Sequence, residues 1–183
     1  MLVLALCAFA VLSPFLIQRW PAGLLLHPWR WTLVIWAAVV IQLIILRVSL
    51  PSGFAPVLHV LTYVMALGFL LKNRRAPGVL IVGAGALSNG VTIALNGGTL
   101  PASARAVAAA GTGSNSTFDN TAVLAHPVLP WLGDVFAWPA PLPLANTFSV
   151  GDALIVVGVY VAAWSGTRLV GQTTRTSAAR RHA

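Results

Sequence analysis

Gly78-Val79-Leu80-Ile81-Val82-Gly83-Ala84-Gly85-Ala86-Leu87-Ser88-Asn89-Gly90-Val91-Thr92-Ile93-Ala94-Leu95 is an uncharged apolar run, and Arg74-Arg75 stands shortly before it. A bilayer core takes about 20 apolar residues as helix, with a range of about 17–25. The run therefore reads as a membrane span with a cationic flank. Four other segments approach the same form: Leu2–Ile17, Trp31–Leu46, Pro56–Leu71 and Val150–Val170. The first three of the five in chain order are short, so they should stand nearly upright or draw their flanks inward.

Composition agrees. The 183 residues are 58% hydrophobic and 8% charged, against roughly 25% charged in a soluble domain, so most of the surface must face something other than water. The formal charge of +8 follows the spans rather than forming a nucleic-acid patch, and no nucleic-acid motif is present. With five spans the loops fall into two sets. One holds Arg19, Arg30, Lys72, Arg74, Arg75, Arg168, Arg175, Arg180 and Arg181, and the other only Arg47 and Arg105. The bias puts the N-terminus outside and the C-terminus inside. Trp20, Trp29, Trp31 and Trp164 then fall near the inner interface, and Trp131 and Trp138 near the outer one, as an aromatic belt requires.

The expected fold is all-α: a polytopic membrane helix bundle of five transmembrane helices in one membrane domain, residues 1–171, with a basic cytoplasmic tail, 172–183. Met1 to Ile17 lacks a basic n-region and a small-x-small cleavage site, so it reads as a retained first span rather than a signal peptide. Residues 96–149 form the outer loop. Within it Thr121–Ala140 is apolar but carries Pro127, Pro130, Pro139 and Asp134. Three prolines break a lone lipid-facing helix, and a sixth crossing would split the basic loops between two sides. The stretch reads as an interfacial or re-entrant element over the bundle. Leu100 to Ala110 reads as a short helix with Pro101 in its first turn and Gly111 as its C-cap. Gly111 to Asn120 is polar loop, and Asn115-Ser116-Thr117 matches a glycosylation sequon.

Few residues carry chemistry. There is no Glu, the acids are Asp119, Asp134 and Asp152, and Cys7 is the single cysteine. Scattered His and Asp are not a metal set, and no cofactor motif occurs, so neither a metal nor a cofactor is expected. Gly83, Gly90 and Gly97 repeat every seven residues, with Asn89 and Asn96 at the same spacing. Such a stripe lets another helix approach closely in lipid, and this face is the expected contact for a membrane-protein partner. Ser149-Val150-Gly151-Asp152 has capping-box spacing. Gln42, His59, Asn89, Thr92, Asn96 and Asp152 all fall in the outer halves of their spans. Buried polar groups need partners. We expect these residues to converge on a polar cluster roofed by the Pro-rich loop, with Asn89, Asn96, His59, Gln42 and Thr92 as binding candidates. Asp152, Asp134 and His126 are the acid/base candidates.

Two resemblances arise at these residues. Leu95-Asn96-Gly97-Gly98-Thr99-Leu100-Pro101, Leu132-Gly133-Asp134 and Phe148-Ser149-Val150-Gly151-Asp152 resemble an uncharacterised family of small bacterial integral membrane proteins, marked by N-G-G-x-[ML]-P and S-[IV]-G-D motifs. The resemblance implies a bundle in the bacterial plasma membrane, and no chemistry. Gly85-Ala86-Leu87-Ser88-Asn89 and Ala145-Asn146-Thr147-Phe148-Ser149-Val150-Gly151-Asp152 are similar to the two catalytic segments of lipoprotein signal peptidase, an intramembrane aspartic protease. Asp152 matches one catalytic aspartate. Thr92 stands where the other should be, and Thr cannot share a proton as a carboxylate dyad does.

The leading functional expectation is a non-catalytic accessory or scaffold subunit of a membrane complex. An outward-facing enzyme acting on a lipid or lipid-linked substrate is the alternative. A small-molecule carrier or sensor comes last, because five spans do not divide into two repeats.

Overall fold

The computed structural model describes residues 1–48, 54–111 and 121–171. The sequon, Asp119 and the 172–183 tail lie outside the described residues. The N-terminal half contains helix α1 (Leu2–Leu12), a 3-10 turn (Ser13–Ile17), strand β1 (Arg19–Trp20) and the short helix α2 (Ala22–Leu25). Helices α3 (Thr32–Arg47), α4 (Phe54–Lys72) and α5 (Val79–Leu95) follow. The next connection holds β2 (Leu100–Pro101), helix α6 (Ala104–Ala110), β3 (Thr121–Ala122), a 3-10 turn (Pro130–Leu132), β4 (Phe136–Trp138) and β5 (Asn146–Phe148). Helix α7 (Val150–Trp164) and β6 (Arg168–Leu169) complete the described chain.

Helix α5 lies between α4 and α7; α3 packs on α4, and α1 packs on α7. The α5–α7 seam is the tightest joint, and glycine makes it so. A Cβ on Gly78, which caps α5, would strike the Gly158 carbonyl oxygen. One on Gly85 would strike the Gly151 carbonyl oxygen and lie 3.0 Å from the Ile155 backbone nitrogen. From the other helix, a Cβ on Gly158 would lie 2.6 Å from the Val82 backbone nitrogen. Each helix thus presents two glycines seven residues apart, and the backbones meet without side chains between them.

Of the expected Gly83/Gly90/Gly97 stripe, one member is occupied within the bundle and two are open. Around Gly83 and Gly97 a Cβ would meet nothing within 4 Å, while Gly90 accommodates the Tyr63 ring of α4. Two residues turn an α-helix by about 200°, so Gly83 lies nearly opposite Gly85.

Short polar structures lock the two ends of the bundle. At the end bearing Arg19, Arg30, Lys72 and Arg168, β1 pairs antiparallel with β6, Arg19 with Leu169 and Trp20 with Arg168. The Arg19 guanidinium donates to Thr167 through Nε at 2.8 Å and Nη2 at 3.1 Å. Asn73, buried, forks onto the backbone of Arg30: it accepts from the Arg30 N–H at 2.9 Å and donates to the Arg30 carbonyl at 2.8 Å. At the other end β2 runs parallel to β3, and β4 pairs antiparallel with β5.

Three boundaries differ from the sequence expectation. Helix α7 stops at Trp164 instead of Val170, because Ser165 is extended (ψ 124°) and Gly166 turns left-handed (φ 69°) to deliver β6 to β1. The end of the first run tightens into a 3-10 turn with Pro14 near its start. Helix α6 begins at Ala104, with Ser103 as N-cap and Gly111 as C-cap; Pro101 belongs to β2. The Pro-rich stretch folds as short strands and one 3-10 turn.

The chain is arranged inside out. Its buried apolar side chains are largely alanines, such as Ala38, Ala86, Ala162 and Ala163, accompanied by Asn89, Thr92 and Ser149. Large side chains point outward, with Leu33 83%, Leu16 75% and Trp36 65% exposed. Among the described residues one helix, α4, is long and apolar enough to cross a membrane; the run Leu2–Ile17 and helices α3, α5 and α7 are apolar but shorter.

Candidate functional site

The joint between α5 and α7 carries a closed hydrogen-bond circuit. Ser149 follows β5 in extended geometry and caps α7; its Oγ accepts from the Asp152 N–H at 3.0 Å. The Asp152 carboxylate returns the bond, with Oδ2 accepting from the Ser149 N–H at 2.9 Å. Asn89 of α5 closes the ring. Its Oδ1 accepts from Ser149 Oγ at 2.9 Å and its Nδ2 donates to Asp152 Oδ1 at 2.9 Å. Every donor in the ring meets an acceptor, so the Asn89 amide has one workable orientation. The absence of a side chain at Gly151 makes room, since a Cβ there would strike the Asn89 amide. The negative charge also lies at the positive end of the α7 dipole.

Thr92 is fully buried, and its hydroxyl donates to the Ser88 carbonyl at 2.9 Å. Gln42 and His59 belong to a neighbouring group on α3 and α4. Thr62 Oγ1 donates to the His59 carbonyl at 2.7 Å and lies 3.1 Å from the Gln42 amide oxygen. The His59 ring, buried, stacks on Tyr63 with centroids 5.5 Å apart, and Tyr63 in turn abuts Gly90 of α5.

Asn96 ties α5 to the Pro-rich loop. Its side chain donates to the Val128 carbonyl and accepts from the Val128 N–H, both at 2.8 Å, copying a strand partner. It also donates to the Thr92 carbonyl at 2.7 Å. Asp134 is buried in the same loop. Thr121 Oγ1 and Thr147 Oγ1 donate to its Oδ2 at 3.2 and 3.1 Å, and its N–H donates to the Pro101 carbonyl at 2.8 Å. Thr147 and Ser149 are two residues apart and both buried, so they share one face of the segment. One of them holds Asp134 and the other Asp152. His126 is exposed and joins neither group. Among the described residues no group of three or more His, Cys, Asp or Glu could hold a metal ion.

Sequence reasoning did not single out Thr147, Thr121, Tyr63 or Asn73. Asn73 had a visible signal, as the one uncharged polar residue beside Lys72, Arg74 and Arg75. The others look like ordinary strand or helix residues.

Residues 27–164 match DUF5317, a family of unknown function. The chain belongs to that family. The match takes in α3 to α7 and both carboxylate groups just described. An uncharacterized protein of Thermotoga maritima is 32% identical to this DUF5317 member over 103 residues, 55% of this chain. The chain spans 59% of that relative's length. No solved structure matches.

Proposed function

We propose that this DUF5317 protein is a multi-pass membrane protein of the bacterial plasma membrane. In this reading it is a non-catalytic accessory or scaffold subunit of a membrane complex. The inside-out distribution of side chains supports lipid as the surroundings. A monomeric soluble protein rarely exposes a contiguous apolar patch beyond a few hundred Å². Helix α4, with 19 residues, rises about 28 Å, close to a bilayer core of about 30 Å. The other four apolar rods are shorter and cross by thinning the bilayer around them and anchoring Trp and Arg at the interface. Five crossings put Arg19, Arg30, Lys72, Arg74, Arg75 and Arg168 at the cytoplasmic end and the Pro-rich loop at the outer end.

The observation that carries the non-catalytic reading is the closed circuit of Ser149, Asn89 and Asp152. Both carboxylate oxygens are bonded to the protein's own donors, and Thr92, where a second acid would be needed, bonds back to its own helix. The partner surface in this reading is the open side of α5 at Gly83. A tagged protein extracted in mild detergent should bring down a stoichiometric partner. Gly83→Leu should abolish that co-purification without lowering thermal stability. Recovery of wild-type protein only as a monomer would contradict the reading.

One observation favours the enzyme alternative. Asp134 and Asp152 are held from positions two apart on one extended segment, a step of roughly 7 Å. If they act together on a lipid-linked substrate, Asp134→Asn should abolish function in a complemented deletion strain while the protein still accumulates. Retained function would remove the alternative.

A further inference from the structure

The basic end of the bundle holds a pocket of about 420 Å³ lined by His27, Pro28, Arg30, Leu71, Lys72, Asn73, Arg74 and Arg75. Four cationic side chains and one imidazole share this space, and among the described residues no carboxylate lines it. Of the three acids in the chain, the two that are described serve the other end, where Asp152 bonds Asn89 and Asp134 bonds Thr121 and Thr147. Asn89 is ten residues along α5 from Val79, about 15 Å of helix rise. Asp152, held by Asn89, therefore lies well along α5 from the pocket.

The pocket is built rather than a chance meeting of mobile arms. The Asn73 fork clamps the backbone of Arg30 to the end of α4, and Asn73 also donates to the Phe69 carbonyl at 2.8 Å. Trp29 stacks on Phe69 with centroids 5.8 Å apart, and its Nε1 donates to the Leu24 carbonyl at 3.0 Å. His27 meets the Trp29 ring edge-on at 4.5 Å. The Lys72 Nζ lies 5.2 Å over the Trp31 ring, which limits its reach to one side. The frame therefore fixes two loops that carry cations while the cationic tips stay exposed.

We propose that this pocket binds a phosphate-bearing anion of at least two negative charges, either a diphosphate or a lipid headgroup that carries two phosphates. Three guanidinium forks suit tetrahedral phosphate oxygens, which they engage in pairs, and the ammonium adds a point charge. A monocarboxylate would neutralise one charge of four and fill little of the volume. Exposed Leu25, Leu26 and Leu33 flank the cationic loop, so a phospholipid headgroup can enter with its acyl chains along the apolar surface. The lipid source rests on the membrane reading above; the anion chemistry does not.

The test uses the full chain, delipidated in neutral detergent, with two probes. Inorganic pyrophosphate is titrated calorimetrically, and cardiolipin or phosphatidylcholine is added in native mass spectrometry. Arg74→Gln/Arg75→Gln is compared with Arg180→Gln/Arg181→Gln, which removes the same charge from the tail. Saturable one-to-one binding of pyrophosphate or cardiolipin, weakened at least tenfold in the first variant and less than twofold in the second, supports the site. Arg30→Gln should weaken it as well, which keeps the test alive should the double variant fail to fold. Cardiolipin binding that pyrophosphate displaces identifies the headgroup phosphate as the ligand. Pyrophosphate binding without cardiolipin retention identifies a soluble phosphate. Absence of saturable binding by both probes, equal losses in the two double variants, or equal retention of phosphatidylcholine overturns the proposal. The cations would then serve orientation in the membrane alone.

Discussion

Exchanging the acid and the amide across the α5–α7 joint separates a structural circuit from a catalytic one. In Asp152→Asn the new amide has one acceptor where the carboxylate had two, yet the Ser149 N–H and the Asn89 Nδ2 both still donate toward it. Rotating the Asn89 amide offers no escape, because its Oδ1 already accepts from Ser149 Oγ. One charge-assisted bond is lost and two N–H groups face each other. A hydrogen bond to a charged group contributes about 1.5–3 kcal/mol, so the loss should be about 2–3 kcal/mol. For a chain of this length that lowers Tm by roughly 4–12 °C. Asn89→Asp alone should cost more, since it sets two carboxylates side by side. The double exchange, Asn89→Asp with Asp152→Asn, restores the pattern. The new carboxylate on α5 accepts from Ser149 Oγ and from the new amide on α7, whose oxygen accepts from the Ser149 N–H. Thermal unfolding followed by a thiol-reactive dye on Cys7, the single cysteine, reads all four proteins. Recovery of most of the lost stability in the double exchange, together with function in a complemented deletion strain, fits a structural role. Recovered stability with function still absent would refute it, because only a need for a carboxylate at position 152 itself would then remain.

Other outcomes follow from the same geometry. Gly85→Ala should destabilise by about 2–3 kcal/mol, because its methyl meets the α7 backbone; Gly83→Ala, into open space, should stabilise by about 0.5–1 kcal/mol through helix propensity. Thermal unfolding of the pair checks the opposite signs. Asn73→Ala removes three side-chain to backbone bonds and should cost about 2–3 kcal/mol at roughly 1 kcal/mol each, again read as Tm. Asn96→Ala should make the Val128 amide exchange with deuterium about fivefold faster, the equivalent of one bond of about 1 kcal/mol.

The sequence announced the helices better than their contacts. Four of the five apolar runs end within a few residues of where hydropathy places them, since length and charge flanks are one-dimensional signals. The fifth overran because Leu169 and Val170 are apolar, while Ser165 and Gly166 decide the geometry by turning the chain toward β1. The capping box was legible, since its members are three residues apart; that Asn89 completes it, across 63 residues, was not. The glycine pairing between α5 and α7 was not legible for a physical reason. Two seven-residue series run through α5, and only the partner helix selects between them. Gly151 and Gly158 of α7 are spaced to face Gly78 and Gly85, a match visible only once both helices are placed. The partners of Asn73 and Asn96 were not legible, because both side chains act on backbone, which carries no sequence signature.

The central claim is that hydrocarbon surrounds the bundle, with the Arg30/Arg75 end and the Ala125 loop on opposite faces of one bilayer. In a Cys7→Ser background, Ala125→Cys, Arg75→Cys and Ser177→Cys can be probed one at a time with a membrane-impermeant maleimide. In intact spheroplasts only Ala125→Cys should react, and the other two should react once the membrane is opened. Labelling of Arg75→Cys and Ala125→Cys from the same side, or release of the protein into the supernatant by alkaline carbonate, would contradict the account.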